Sequence, residues 1–206
     1  MKTLKVGIID YGAGNIGSVL NLVRKVGGTP HLVKEPEQLI TVEKLILPGV
    51  GSFDNGMTML NASGMIPALQ NKVLIENIPI LGICLGAQLF TRRSEEGVLP
   101  GLGWIKADTV KFCFSDSSLK IPHMGWNYVN IVHDHPIFSG MYPDPKFYFV
   151  HKYYMKPDNE DSILTSTVYG SRFTSGIYQN NIIGFQFHPE KSHKYGMKII
   201  ENFLRI

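Results

Sequence analysis

Pro79-Ile80-Leu81-Gly82-Ile83-Cys84-Leu85-Gly86-Ala87-Gln88 is the stretch on which the reading of this chain turns. Residues suited to a buried strand run into Gly-x-Cys-x-Gly, and a helix-compatible run from Leu85 to Arg93 follows. This is the layout of a nucleophile elbow. The strand ends, a sharp turn holds the nucleophile in a strained conformation, and flanking glycines let neighbouring backbone pass close by. A helix beginning just after Cys84 would aim free N–H groups at the sulfur and supply donors for an anionic intermediate. The bland alternative is a buried structural cysteine, which free Cys often is.

A second stretch weighs against that alternative. Ile182-Ile183-Gly184-Phe185-Gln186-Phe187-His188-Pro189-Glu190 reads as a strand that ends in His-x-Glu. A thiol needs a base to take its proton, and an imidazole needs an acceptor to fix its tautomer. With one residue between them, His188 and Glu190 project to the same side of an extended segment, and Pro189 limits the backbone there. The expected catalytic set is a triad of Cys84, His188 and Glu190.

Around these two stretches the chain reads as α/β. Val6 to Ile9 is a short apolar run suited to a buried parallel strand, and His31-Leu32-Val33 and Leu45-Ile46-Leu47 read as further strands. Ile16, Val19, Leu20, Val23 and Val26 fall at helical spacing, with Gly27-Gly28 as the stop. Ile66, Leu69, Val73 and Leu74 mark a helix before the Cys84 strand. Beyond Gly97 the runs are β-rich: Trp104-Ile105, Val110 to Phe114, Trp126 to Val132, Lys146 to Tyr154, Ile163 to Val168 and Phe173 to Tyr178. Met197 to Ile206 closes the chain as an amphipathic helix packed beside His188. The expected architecture is a three-layer α/β domain spanning 1–206, with a central, mostly parallel sheet, helices on both faces and antiparallel strands added in the second half.

Composition narrows the function classes. At 206 residues one domain is the natural expectation. A balance of 20 basic against 17 acidic residues gives +3, too mild for nucleic acid as a main partner. Two cysteines make no disulfide framework, so a cytoplasmic location is expected. Only four apolar or small residues separate Lys5 from Asp10, too few for a signal peptide, and no apolar run suits a membrane span.

Two glycine-rich loops need weighing. Gly12-Ala13-Gly14-Asn15-Ile16-Gly17 lies between a strand and a helix, with Glu35 downstream, and so matches a dinucleotide-binding fingerprint. A tight turn with close helix–sheet packing accounts for the same glycines. Pro48-Gly49-Val50-Gly51-Ser52-Phe53 follows the third strand. Its backbone at Gly49 and Val50, with the Leu85 N–H, could form an oxyanion hole, although an ordinary strand-to-helix turn explains it equally well.

Smaller signals read as structural. His133-Asp134-His135 has no third ligand nearby and precedes Pro136, which fits a solvated turn. Cys113 sits in a strand-like run without an acid or base neighbour, and Arg92-Arg93 beside Glu95-Glu96 reads as a solvated helix end.

The two chemical stretches resemble the signatures of class I, triad-type glutamine amidotransferases. Asp10-Tyr11-Gly12-Ala13-Gly14-Asn15, Pro48 to Phe53, Pro122-His123-Met124-Gly125-Trp126-Asn127, Tyr148-Phe149-Val150-His151 and Glu190-Lys191-Ser192 together resemble the glutaminase-subunit family of imidazole glycerol phosphate synthases. The resemblance covers nearly the whole chain. It implies glutamine hydrolysis to glutamate and ammonia, with no metal or organic cofactor. It places the oxyanion strand at Gly49-Val50 and implies that Gly51, Gln88, Glu96, Lys152 and Tyr153 hold the substrate's amino and carboxylate groups. It also implies a heterodimer with a (βα)8-barrel cyclase that receives ammonia through an interior channel in histidine biosynthesis. The matching interface positions are Asn15, Trp126, Tyr148 and Lys191; a core role for Trp126 is the alternative. Two features depart from this pattern. Histidine-pathway members typically carry a small hydroxyl residue at Lys152. The tail His188 to Met197 also looks like a paralogous group, found with surface-polysaccharide genes, that implies amidation of a nucleotide sugar.

Overall fold

The computed structural model describes residues 4–114 and 119–206. In chain order the elements are β1 (Lys5–Ile9), α1 (Ile16–Lys25), β2 (Thr29–Val33), β3 (Lys44–Gly49), α2 (Phe53–Ala62), α3 (Ile66–Gln70), β4 (Ile80–Cys84) and α4 (Leu85–Gln88). There follow β5 (Ala107–Lys111), β6 (His123–Tyr128), β7 (Asn130–Ile131), β8 (Lys146–His151), β9 (Tyr153–Pro157), β10 (Ile163–Tyr169), β11 (Ser171–Gln179), β12 (Ile182–Phe185) and α5 (His193–Arg205). An eight-stranded sheet runs in the order β2-β1-β3-β4-β12-β11-β10-β7. The strands from β2 to β12 pair in parallel, and β11, β10 and β7 continue the sheet antiparallel. Two further ladders, β5–β9 and β6–β8, stand apart from it.

Strand alternation divides the core into two layers. Ile9, Leu45, Leu47 and Ile80 face one side, where α2 and α3 supply Phe53, Met57, Leu60 and Leu69. Ile8, Ile46, Leu81 and Ile83 face the other, against Val19 and Val23 of α1 and Ile199, Ile200 and Phe203 of α5. The apolar runs read as buried strands therefore serve two cores at once, which makes the molecule three-layered. No helix among the described residues is long and apolar enough to cross a membrane.

Several elements differ from the sequence reading for identifiable reasons. The helix after Cys84 stops at Gln88 rather than Arg93. Thr91 Oγ1 donates to the Gln88 carbonyl at 2.8 Å and tightens the chain into a turn. Arg92 and Arg93 are consequently not a helix end: Arg92 pairs with Asp108 and Asp158, and Arg93 with Asp108. The helix read from Ile66 to Leu74 is regular only to Gln70 and then widens into a π-turn over Asn71–Ile75, with Leu74 exposed. Trp104-Ile105 is not a strand but a buried loop. The run from Val110 to Phe114 is strand only to Lys111, leaving Cys113 free and exposed outside it. Lys146 to Tyr154 is two strands in different ladders, broken at Lys152. Helix α2 has no counterpart in the sequence reading because Gly56 weakens the local helical signal. A Cβ at Gly56 would lie 2.9 Å from the Leu85 side chain, so packing against the elbow overrides propensity. Helix α5 starts at His193, before the expected Met197.

The glycine loop after β1 is used for packing. Gly12 and Gly14 hold positive φ values of 91° and 113°, and a Cβ on Gly14 would press on Pro48 at 3.2 Å. Gly17, whose counterpart in a dinucleotide fingerprint gives close helix–strand packing, has no atom near its Cβ position. Glu35 caps a 3-10 helix through a capping box with Gln38. His133 Nδ1 bonds to the Ile163 carbonyl, and His135 Nδ1 accepts from the Ile137 N–H.

Candidate active site

Cys84 ends β4 with φ 53° and ψ −112°, a conformation rarely adopted outside glycine and sustained by the packing around it. A Cβ on Gly86 would collide with the Leu47 carbonyl, and Cβ atoms on Gly82 and Gly184 would press into Ala87. These glycines seat α4 directly on the sheet, which forces the turn at Cys84.

His188 does not sit on a strand. β12 ends at Phe185, and Glu190 lies in a 3-10 turn, Pro189–Lys191. The turn, rather than an extended segment, brings the carboxylate back, and His188 Nδ1–H donates to Glu190 Oε1 at 2.8 Å. Both side chains are nearly inaccessible, at 1% and 2% exposure. Burial alone would lower the His188 pKa; the nearby Cys84 sulfur and the Glu190 carboxylate outweigh it and push it up to about 10. Nε2 is buried without a hydrogen-bond partner among the described residues. The imidazole is therefore oriented on one side and free to exchange a proton on the other.

A cavity of about 430 Å³ opens over this cluster. Cys84 and His188 line it together with Val50, Leu85 and all five expected substrate residues, Gly51, Gln88, Glu96, Lys152 and Tyr153. Gly49 lies beneath, in register with Cys84 in the β3–β4 pairing. The Glu96 carboxylate accepts from the Phe53 N–H at 2.8 Å, which fixes it at the start of α2.

A match to a protein-family model, glutamine amidotransferase class-I, extends over residues 7–206. The chain belongs to the class-I glutamine amidotransferases. Within that family it is 50% identical to imidazole glycerol phosphate synthase subunit HisH 2 of Pseudomonas aeruginosa, over 97% of this chain and 98% of that protein. The subunit of the same name from Methanococcus maripaludis is also 50% identical, with 97% and 98% covered. The solved structure of PurLQS from Thermotoga maritima shares the fold, with a TM-score of 0.73 at 20% identity and 98% of each chain covered.

Read as an amidotransferase, the chain has polar groups at the nucleophile that the sequence reading did not assign. Gln186 Nε2 donates to the Cys84 sulfur at 3.6 Å, while Gln186 Oε1 accepts from Gln88 Nε2 at 3.0 Å. Gln88 also donates to the Tyr153 carbonyl at 3.2 Å, joining the nucleophile to the cavity wall. A fully buried Gln inside an apolar run was the available signal. A second unassigned group is the pair His123 and His151, both buried. His151 Nδ1–H donates to the Tyr153 carbonyl at 2.8 Å, its Nε2 accepts from His123 Nδ1–H at 2.9 Å, and His123 Nε2 accepts from Asn127 at 3.2 Å.

Of the expected interface residues, three form one surface patch. Trp126 is 40% exposed, so it is not a core residue; it stacks on His193 and meets Tyr148 edge-on. Lys191 Nζ sits 5.5 Å from the Tyr148 ring centre. Asn15 caps α1 through its backbone, and among the described residues no hydrogen bond or ring contact places it in that patch. Behind the patch, Tyr148 O accepts from the His188 N–H at 2.9 Å, and Ser192 Oγ links the Tyr148 N–H to the His188 carbonyl.

Proposed function

We propose that this chain is the glutaminase of an imidazole glycerol phosphate synthase, a single domain that hydrolyses glutamine at Cys84 and passes ammonia to a (βα)8-barrel cyclase in histidine biosynthesis. The observation that carries the reading is a cysteine in a strained elbow next to a buried His188–Glu190 pair, with Cys84 and His188 lining one cavity large enough for an amino acid. In the resting pair His188 Nε2 has already taken the thiol proton, as its raised pKa requires, and the sulfur attacks the carboxamide carbon. The N–H groups of Leu85 and Val50 receive the developing oxyanion, the latter after rotation of the Gly49–Val50 peptide. His188 returns the proton to the departing ammonia, and water then hydrolyses the thioester to glutamate. Gln88, Glu96, Gly51 and the Lys152-Tyr153 backbone hold the amino-acid end.

In bulk water ammonia is protonated and lost as a nucleophile, so its exit must be covered. The patch of Trp126, Tyr148 and Lys191, with Asn15 at the head of α1, is the docking face in this reading. An aromatic pair with a cation beside it matches the residue types that dominate interfaces.

A glutamine-like diazo-ketone should add mass to Cys84 and leave the exposed Cys113 unmodified; label on Cys113 alone would end the triad reading. Mixing the chain with the cyclase of the same organism should yield a complex that forms imidazole glycerol phosphate from glutamine. Lys152, exposed on the cavity rim, favours a second reading in which the acceptor is a nucleotide sugar. Glutaminase activity without cyclase binding would select it.

A further inference from the structure

The Tyr11 hydroxyl has no part in the chemistry above, yet its position sets it apart from the rest of the buried polar groups. Tyr11 follows β1 and is 5% exposed, with its ring in the cluster that contains Phe53, Met57 and Leu85. Its Oη is fully buried and has no hydrogen-bond partner among the described residues. Buried tyrosine hydroxyls are normally paired, so an unpaired one marks stored strain or a function realised in another state.

What the hydroxyl touches identifies that state. The point where Gly49 would carry a Cβ lies 2.6 Å from Tyr11 Oη, 2.7 Å from the Gly86 nitrogen and 2.9 Å from Leu85 Cβ. The hydroxyl is therefore packed against Gly49, beside Leu85 and Gly86, while the cavity is lined by Val50 and Gly51 and not by Tyr11 or Gly49. Rotation of the Gly49–Val50 peptide turns the Val50 N–H toward the cavity and, because the peptide is planar, turns the Gly49 carbonyl the opposite way. That carbonyl then enters a water-excluded interior, where an acceptor without a donor is strongly disfavoured.

We propose that Tyr11 is a positioning residue for the oxyanion strand, its hydroxyl donating to the Gly49 carbonyl when the Gly49–Val50 peptide rotates into its productive orientation. The inference rests on the glutaminase reading of Cys84 and Val50. It gives one hydroxyl opposite effects in the two states: unpaired in the resting strand, paired in the productive one. Burial, followed by the charge at Cys84, raises the Tyr11 pKa, so the hydroxyl keeps its proton and remains a donor throughout the working pH range.

Tyr11→Phe keeps the ring packing and removes only this oxygen. In the full chain mixed with the cyclase of the same organism, kcat for glutamate release should fall about tenfold, with KM for glutamine changed by less than about twofold. The thermal midpoint of the variant should stay level or rise, because an unpaired polar atom has left the core. A hydroxyl with a purely structural role would give the reverse, a lower midpoint with unchanged kcat, and that result overturns the proposal. An unchanged kcat with a raised midpoint overturns it as well. Diazo-ketone labelling of the wild-type chain separates the two layers of argument. Cys84 labelled in the wild type with no kinetic effect of Tyr11→Phe removes the Tyr11 role alone. A wild-type Cys84 that resists the label removes the glutaminase reading and this inference with it.

Discussion

Acidification should destabilise this chain through the His123–His151 pair, and the size of the effect follows from their burial. They are 3% and 6% exposed, and desolvation lowers their pKa values to about 4 and about 3, the backbone bond to Tyr153 only partly opposing it at His151. The bonding pattern agrees, because the Tyr153 carbonyl at one end and the Asn127 amide at the other leave the chain of rings no place for an extra proton. Each unfolded histidine binds a proton near pH ~6.5, whereas the folded ones do not until about pH 4 and about pH 3. Their contribution is thus fully present above that unfolded value and is lost as pH falls toward the folded ones. Between about pH 7 and 5 the loss is ~2 kcal/mol per ring, ~4 kcal/mol together, against a total stability of ~5–15 kcal/mol for a domain. His188 offsets a small part of this loss. Its raised value gives stability that is present below ~6.5 and lost as pH climbs toward about 10, so it returns less than ~1 kcal/mol as pH falls from about 7 to 6 and adds almost no slope below that. Urea unfolding followed by tryptophan fluorescence, at half-unit steps through this range, measures the slope directly. His123→Gln, which retains an amide donor toward His151, should roughly halve the slope. A flat profile in the wild type, or an unaltered slope in His123→Gln, would refute the neutral-pair argument.

Other expectations follow from contacts at the elbow and the surface patch. Gln186→Leu should leave folding intact yet lower kcat by about ten- to a hundredfold, the worth of a hydrogen bond to the sulfur as it acts as nucleophile; steady-state glutaminase kinetics will tell. Gly86→Ala, forced against the Leu47 carbonyl, should cost at least ~1–3 kcal/mol in urea unfolding, and a neutral result would mean that α4 can lift off the sheet. Cys84→Ser should abolish most glutamate release without altering the unfolding midpoint, since an alkoxide forms far less readily than a thiolate. Trp126→Ala should weaken cyclase binding by ~1–2 kcal/mol in calorimetry, and more than Lys191→Ala, whose exposed charge contributes ~0.2–1 kcal/mol.

What was legible in the sequence is what depends on local pattern. The apolar runs of β1, β3, β4 and β12 announce buried parallel strands, and Gly-x-Cys-x-Gly announces a turn at the end of one of them. The pairing of His188 with Glu190 was readable as proximity but not as geometry, because two residues this close in sequence can meet across an extended segment or, as here, across the start of a 3-10 turn. What could not be read depends on distant partners. Gln186 looks like one polar residue in an apolar strand until the Cys84 sulfur and Gln88 are placed beside it. Helix α2 is hidden because Gly56 answers to Leu85 rather than to its own helix. Arg92 and Arg93 suggested a helix end only because Asp108 and Asp158, which hold Arg92, lie far along the chain.

The same dependence on distant partners links the proposed docking face to the proposed chemistry through one framework. Tyr148 presents its ring to the surface beside Trp126 and Lys191, while its carbonyl accepts from the backbone of His188. Ser192 closes a second link, accepting from the Tyr148 N–H and donating to the His188 carbonyl at 2.6 Å. Any displacement of β8 by a docked partner would therefore be carried to the backbone of His188 by one direct backbone hydrogen bond and one bridged by the buried Ser192 hydroxyl. Lys191 follows Glu190 directly in the same 3-10 turn, so a charge captured there acts on the acid's own backbone. The oxyanion strand lies on the other side of Cys84, in register with it through β3. A partner that shifts β8 and the Pro189–Lys191 turn thus reaches the base from one side of the nucleophile. The Gly49–Val50 peptide, with Tyr11 beneath it, must be set from the other. If the proposed docking face and peptide rotation hold, turnover depends on both sides at once, and a variant that binds the cyclase tightly but leaves β8 unmoved should give a complex without stimulation, measured as glutamate release with and without the cyclase.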